Sequence, residues 1–142
     1  MILQQVIARL SAQAMPPLRL VEGLAEFDAL AAPPPDARLP AAYVLPGVTQ
    51  GGANSLATGF RQRLEEPFSV IILHRNRRDP RGAAASVDLT RDLIPAVRRA
   101  LIAWQASEDW DPVEIRLGRL IDSEDGVLAW REDYTTTTHH RA

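Results

Sequence analysis

Three histidines, His74, His139 and His140, supply all the imidazole in the chain, and there is no cysteine. Thiolate nucleophiles, disulfides and cysteine-based zinc sites are therefore excluded. Adjacent side chains on a strand point to opposite faces, so His139 and His140 are badly placed to share a metal ion. His74 closes an apolar run and reads as a half-covered, hydrogen-bonded imidazole. Ser55 or Ser69 with His74 and Asp79 would supply the residue types of a hydrolytic triad, yet nothing in the sequence positions them together. The HExxH, GxSxG and Walker patterns do not occur. Asp122, Glu124 and Asp125 bring carboxylates close together without the glycine placement and closing glutamate of a calcium loop. Gly51-Gly52 is followed by no lysine and does not join a strand to a helix, which argues against a phosphate cradle. The expectation is a protein that is not an enzyme, with no catalytic residue, no cofactor and no metal site.

Recognition is the chemistry that remains. All sixteen basic residues are arginine, whose planar fork suits protein contacts better than the point charge of lysine. From Arg61 to Arg81 six arginines face three acids, whereas from Glu108 to Asp133 nine acids face three arginines. The densest parts are the loop with Arg75, Arg77, Arg78 and Arg81 and the acidic loop with Asp122, Glu124 and Asp125. These seven residues are the candidates for contact with a neighbouring copy or another protein. Unlike patches meeting head to tail make a ring when the rotation closes, and opposite potentials set its register. A second reading is a small nucleic-acid-binding protein that uses the Arg75–Arg81 loop, with steeply salt-dependent affinity. A net charge of −2 and the lack of interleaved aromatic residues weigh against it.

The elements that must position these loops centre on Pro67–His74. Phe68, Val70 and Ile72 alternate with Ile71 and Leu73, and both sets are apolar, so this strand is expected to be covered on both faces. After the arginine loop, Thr90, Leu93, Ile94, Val97, Leu101 and Trp104 recur at helical spacing between Ser86 and Trp104, with Arg91, Asp92, Arg98 and Arg99 opposite. Pro95 should kink or split that helix.

Residues 2–14 form a second amphipathic pattern, stopped by Met15-Pro16-Pro17. Leu18–Val21 is a short extended piece, Leu24–Leu30 a short helix and Pro33–Pro35 a stiff connector. Pro40–Pro46 reads as a strand and Gly47–Thr58 as a polar, mobile loop. Gly59–Leu64 continues through Glu65-Glu66-Pro67 as one long strand, bent or bulged near Pro67. Val113, Ile115 and Leu117 mark a half-buried strand, Asp122–Gly126 a hairpin loop, and Val127–Thr138 a returning strand. Leu128, Trp130 and Tyr134 share one face of that strand, with Arg131 and Asp133 on the other.

The 142 residues fit a single domain, 1–142, that buries roughly 70% of its unfolded surface. The fold class is α+β: an antiparallel sheet of about four strands with α-helices packed against it. Met1–Arg9 lacks a basic n-region, and no apolar run approaches the ~20 residues of a membrane span. The chain is expected to be made in a cytoplasm without membrane insertion.

The order of features resembles the tail terminator (tail completion, minor tail protein) family of long-tailed bacteriophages. The matching parts are the opening helix, the Pro40–Val44 strand, and the long strand ending Phe68-Ser69-Val70-Ile71-Ile72. Asn76-x-x-Asp79 with Gly82 follows, then a helix closing on Arg99-Ala100-Leu101-Ile102-Ala103-Trp104. Two last strands carry Gly118 and Val127-Leu128-Ala129-Trp130. The resemblance implies a non-enzymatic virion subunit that assembles as a hexameric ring. Such a ring ends the tail tube at its head-proximal end and meets the major tail tube protein and the head-tail connector or stopper. It is assembled in the bacterial host cytoplasm, and its lumen would let DNA pass without specific nucleic-acid contacts. A strand edge near Thr135–Thr138 is expected to be open to a neighbouring subunit.

Overall fold

A computed structural model describes residues 2–30, 34–76, 78 and 82–142. The first amphipathic pattern folds as α1, Leu3–Gln13, with Val6 and Leu10 fully buried on its inner face. A short strand β1 (Leu20–Glu22), a helix α2 (Leu24–Asp28) and a strand β2 (Ala41–Pro46) follow. Pro33 lies outside the described residues. Next come β3 (Gln50–Asn54) and β4 (Arg61–His74), then α3 (Ala83–Asp88), a π turn (Leu89–Leu93) and α4 (Ile94–Leu101). Strands β5 (Glu114–Glu124) and β6 (Val127–Arg141) complete the chain. No helix among the described residues is long and apolar enough to cross a membrane.

The class is α+β, but the sheet is larger than the expected four strands. Six strands are hydrogen-bonded in the order β1-β2-β4-β6-β5, with β3 added to the far part of β4. All pairs are antiparallel except β1 with β2, which are parallel. Parallel neighbours need a crossover. The segment containing α2 provides it and packs Phe27 against Tyr43, with ring centroids 5.3 Å apart.

The ladder of β4 with β6 is the backbone of the molecule. It runs from Arg61 opposite Arg141 to His74 opposite Leu128 without a register shift, so the bulge expected near Pro67 is absent. The reason lies on the other side of β4. Partner β2 ends at Pro46 opposite Phe68, and β3 begins with Gln50 opposite Glu65, so Pro67 occupies the handover between them. The Pro67 carbonyl faces that side, where it accepts from Gly47 N–H at 3.0 Å. Its missing N–H points the same way, so no bond to β6 is lost. Strand β3 itself falls in what the sequence presents as a loop. All five of its residues are exposed, so no buried face marked it.

Alternation on β4 divides the core as expected. Phe68, Val70 and Ile72 meet α1, α4 and Tyr134 on one face, while Ile71 and Leu73 meet Leu39, Ala41, Tyr43 and Ala129 on the other. The main helix is split, and the split moves its stripe. Pro95 has no N–H to give Arg91, and its ring would press on that carbonyl. The preceding turn widens, so that Ile94 N–H reaches back to Leu89 O. The added residue shifts the phase: Leu89 is buried and Thr90, expected inside, is exposed, bonding Ser86 O at 2.8 Å.

Candidate assembly interface

The sheet register decides where the charged candidates lie. Because His74 sits opposite Leu128, the loop after β4 emerges beside the turn between β5 and β6. That turn is tighter than the expected five-residue loop: β5 runs to Glu124, and only Asp125 and Gly126 bridge to β6, both with positive φ (53° and 77°). This is the two-residue Asp-Gly hairpin. Arg75 donates to the Asp125 carbonyl at 2.8 Å and lies 3.7 Å from the Asp36 carboxylate. Arg78 is exposed on a turn in which its N–H bonds the Asn76 side chain at 3.0 Å. Asp122, Glu124 and Asp125 are exposed. Arg77, Asp79 and Arg81 lie outside the described residues. The described basic and acidic candidates thus share one end of one sheet, and Arg75 is already engaged with its own hairpin.

Away from that end, two arginines of the acidic stretch are themselves paired, one along β6 and one from β5 to Glu65 of β4. Arg131 Nε lies 2.8 Å from Asp133, which also accepts from Ser69 at 2.6 Å. Arg116 reaches Glu65 at 3.4 Å, and Arg63 donates to Thr137 Oγ1 at 3.3 Å. Desolvation pushes the Asp133 carboxyl up, but the hydrogen bonds from Arg131 and Ser69 outweigh it and hold the group below the usual carboxylate range. The hydrogen bond from His74, joined by one from Asn76, likewise lowers Asp88. A lowered folded pKa gives stability that is present above the unfolded carboxylate value and disappears as pH falls through the folded one. Stability should therefore decline below about pH 4. Urea midpoints at pH 7 and pH 3 are expected to differ less for Asp133→Asn than for the parent, and an equal difference would contradict this.

Among the described residues the hydrolytic constellation is not assembled, Asp79 lying outside them. Ser69 bonds Asp133, and its odd-numbered place on β4 puts it on the face opposite His74. His74 Nε2 is 3.0 Å from Asp88, the half-covered pairing expected, and these two border a cavity of about 360 Å³ with Pro16, Pro17, Arg19, Pro40, Asp92 and Leu93. His139 pairs with Asp111 at 3.3 Å, while His140 sets its ring edge-on to Phe60. Among the described residues no group of three or more acids and histidines is arranged to hold a metal ion.

The expected open edge at Thr135–Thr138 is closed. These residues pair with Leu64–Pro67 of β4 on one side. On the other, Asp111 N–H bonds Thr137 O at 2.8 Å, Thr136 Oγ1 bonds Asp111 O at 2.8 Å, and Trp110 bridges Thr138. The turn at residues 108–112 folds back as a pseudo-strand and covers them. The edge strands of the sheet are β5 at one end, the three-residue β1 at the other, and β3 beside the far part of β4. Register shifts between Ile115 and Leu117 and between Leu120 and Asp122 disrupt the expected alternation of β5, leaving Leu117 52% and Leu120 50% exposed.

What sort of protein has such a sheet and so little catalytic equipment is answered by comparison. The model of the phage tail terminator protein family matches residues 1–142. The chain belongs to that family. The family accounts for the whole length, including the opening helix and the last two strands that carried the sequence resemblance. A chain from the virion of a native gene transfer agent particle has a similar fold, with a TM-score of 0.57 at 15% identity, over 95% of this chain and 92% of that one. No curated protein matches the sequence. Membership makes this tail terminator a structural component of a phage-type tail.

Proposed function

We propose that copies of this chain close into a ring, six being the number the family resemblance implies, which caps the tail tube at its head-proximal end and joins it to the head-side connector or stopper. The full-length family match carries this reading. The ring acts by shape: it covers the growing end of the tube so that no further major tail tube protein adds, and it makes or breaks no covalent bond. Assembly takes place in the host cytoplasm, with the finished ring resident in the virion.

The charged end of the sheet supplies orientation in this reading. Arg75 holds the acidic turn in place, while Arg77, Arg78 and Arg81 and the carboxylates of Asp122, Glu124 and Asp125 meet neighbouring copies or the adjoining tail protein. Exposed ion pairs are each worth about 0.2–1 kcal/mol, so they choose partner and register but do not hold a ring together. Native mass spectrometry at micromolar concentration should show a closed oligomer; a strict monomer that no tail protein retains would overturn the reading. Reversing Arg77 and Arg78 together to glutamate should weaken assembly while moving folding stability by no more than about 0.5 kcal/mol.

A further inference from the structure

The cohesion that charged pairs do not provide has a visible source in the sheet's two longer edge strands, β3 and β5. We propose that the ring closes by strand addition, β3 of each copy pairing antiparallel with β5 of the next; this rests on the ring reading above. The edges are on opposite flanks of one sheet, with β5 last in the strand order and β3 outside β4. A contact between two different edges of the same molecule is head-to-tail and repeats until its rotation closes.

Direction agrees. Strands β4 and β5 are both antiparallel to β6 and therefore run the same way, and β3 is antiparallel to β4. Continuing one sheet into the next copy sets β3 against β5 in antiparallel orientation, in a ladder interrupted at the bulges of both strands. Neither strand contains lysine or proline, although β3 carries one bulge and β5 two, together with charged side chains on β5. Gln50-Gly51-Gly52-Ala53-Asn54 carries no charge, and the Gly52 carbonyl is held by Gln62 Nε2 at 2.8 Å.

Apolar surface gathers at the same two places. Leu117, Leu120 and Ile121 on β5, with Val48, Leu56 and Phe60 around β3, make up six of the ten exposed large apolar side chains among the described residues. Charge complements it: Arg61 and Arg63 stand on the stretch of β4 that carries β3, and Asp122 and Glu124 on the far part of β5. A second copy is thus the occupant that matches each edge in backbone, apolar surface and charge at once. The edges share no level along the sheet, β3 lying level with Thr137 to His140 and β5 with Thr135 to Val127, so pairing them requires each copy to be staggered along the strands relative to the next. Sheets that close around an axis are tilted and staggered in this way.

The absence of cysteine makes a direct test possible. Ala53→Cys is combined in one chain with Leu117→Cys or with Leu120→Cys and mildly oxidised. The expected result is a reducible covalent ladder ending at the oligomer size that native mass spectrometry gives for the parent, and no such ladder from any single cysteine. In parallel, Leu120→Lys with Ile121→Lys should weaken association at least roughly tenfold, equivalent to about 1.4 kcal/mol, with the thermal midpoint of the monomer retained. An oligomer that forms, ignores the lysines and gives no ladder overturns strand addition and leaves the ring standing. A chain monomeric throughout overturns both.

Discussion

Arg98→Ala is expected to cost about 3 kcal/mol of folding stability, the low end of the roughly 3–5 kcal/mol typical when one partner of a buried ion pair is removed. The partner is Glu132, which has no exposed surface. Its carboxylate takes Arg98 Nε at 2.7 Å on one oxygen and the second guanidinium nitrogen at 3.1 Å on the other. The Trp130 indole N–H donates at 3.1 Å, and the Tyr134 hydroxyl stands 3.4 Å away. Burial, with the Glu132 charge beside it, pushes the Tyr134 phenol well above its ordinary value. Gly118 makes room, since a Cβ there would collide with Glu132 Oε2. Without the guanidinium the charge is left in an apolar layer with two neutral donors. The Arg98 side chain is 41% exposed, so water reaches the site and keeps the cost from the top of the range. Urea denaturation checks this, with Arg91→Ala as the control. Arg91 also pairs with an acid, Asp92 at 2.9 Å, but it is 67% exposed, so solvent screens the pair and its loss should leave the urea midpoint nearly unchanged. Equal losses for the two variants would show that the buried pair contributes nothing special. Replacing both partners together, Arg98→Met with Glu132→Leu, should recover most of the lost stability.

That cluster also shows where reading the sequence stops. Period two placed Leu128, Trp130 and Tyr134 on one face of β6 without placing Glu132, which the same period sets between them. Neither the inward acid nor its partner was read from the sequence. Arg98 is thirty-four residues away, on the face of α4 that helical spacing assigns to solvent. Only the packing of helix on sheet joins them. Long-range apolar pattern was readable for the same reason it stabilises: α1, β2, β4, α4 and β6 each bury a periodic face. Strand β3 and the two bulges of β5 carry no such face, so nothing local announced them. Thr135–Thr138 has strong strand propensity, and propensity says nothing about whether a turn at residues 108–112 will cover its edge. The charge imbalance was visible, but the fold decides which charges cancel: Arg131 meets Asp133 along β6, and Arg116 of β5 meets Glu65 of β4.

Phe68→Ala separates the stability of the subunit from its assembly, and should cost about 3–5 kcal/mol. Phe68 is 1% exposed and stacks on Tyr134, with ring centroids 5.5 Å apart and planes 16° from parallel. It stands where β2 ends on β4 and where the helix layer meets the centre of the sheet. The neighbours are held by two ladders and cannot collapse into the space, so the cavity persists and the loss should lie toward the upper part of that range. At this chain length it corresponds to a fall of roughly 10–20 °C in Tm, readable by calorimetry. Phe68 is far from both exposed edges in the chemical sense: it presents no surface to a neighbour. Below the new midpoint the variant should therefore still form the parent's oligomer, whereas lysine at Leu120 and Ile121 should do the reverse. An oligomer lost with Phe68→Ala while the subunit stays folded would mean that the sheet interior sets the edge geometry, and the two edges could not be treated as a preformed, rigid pair.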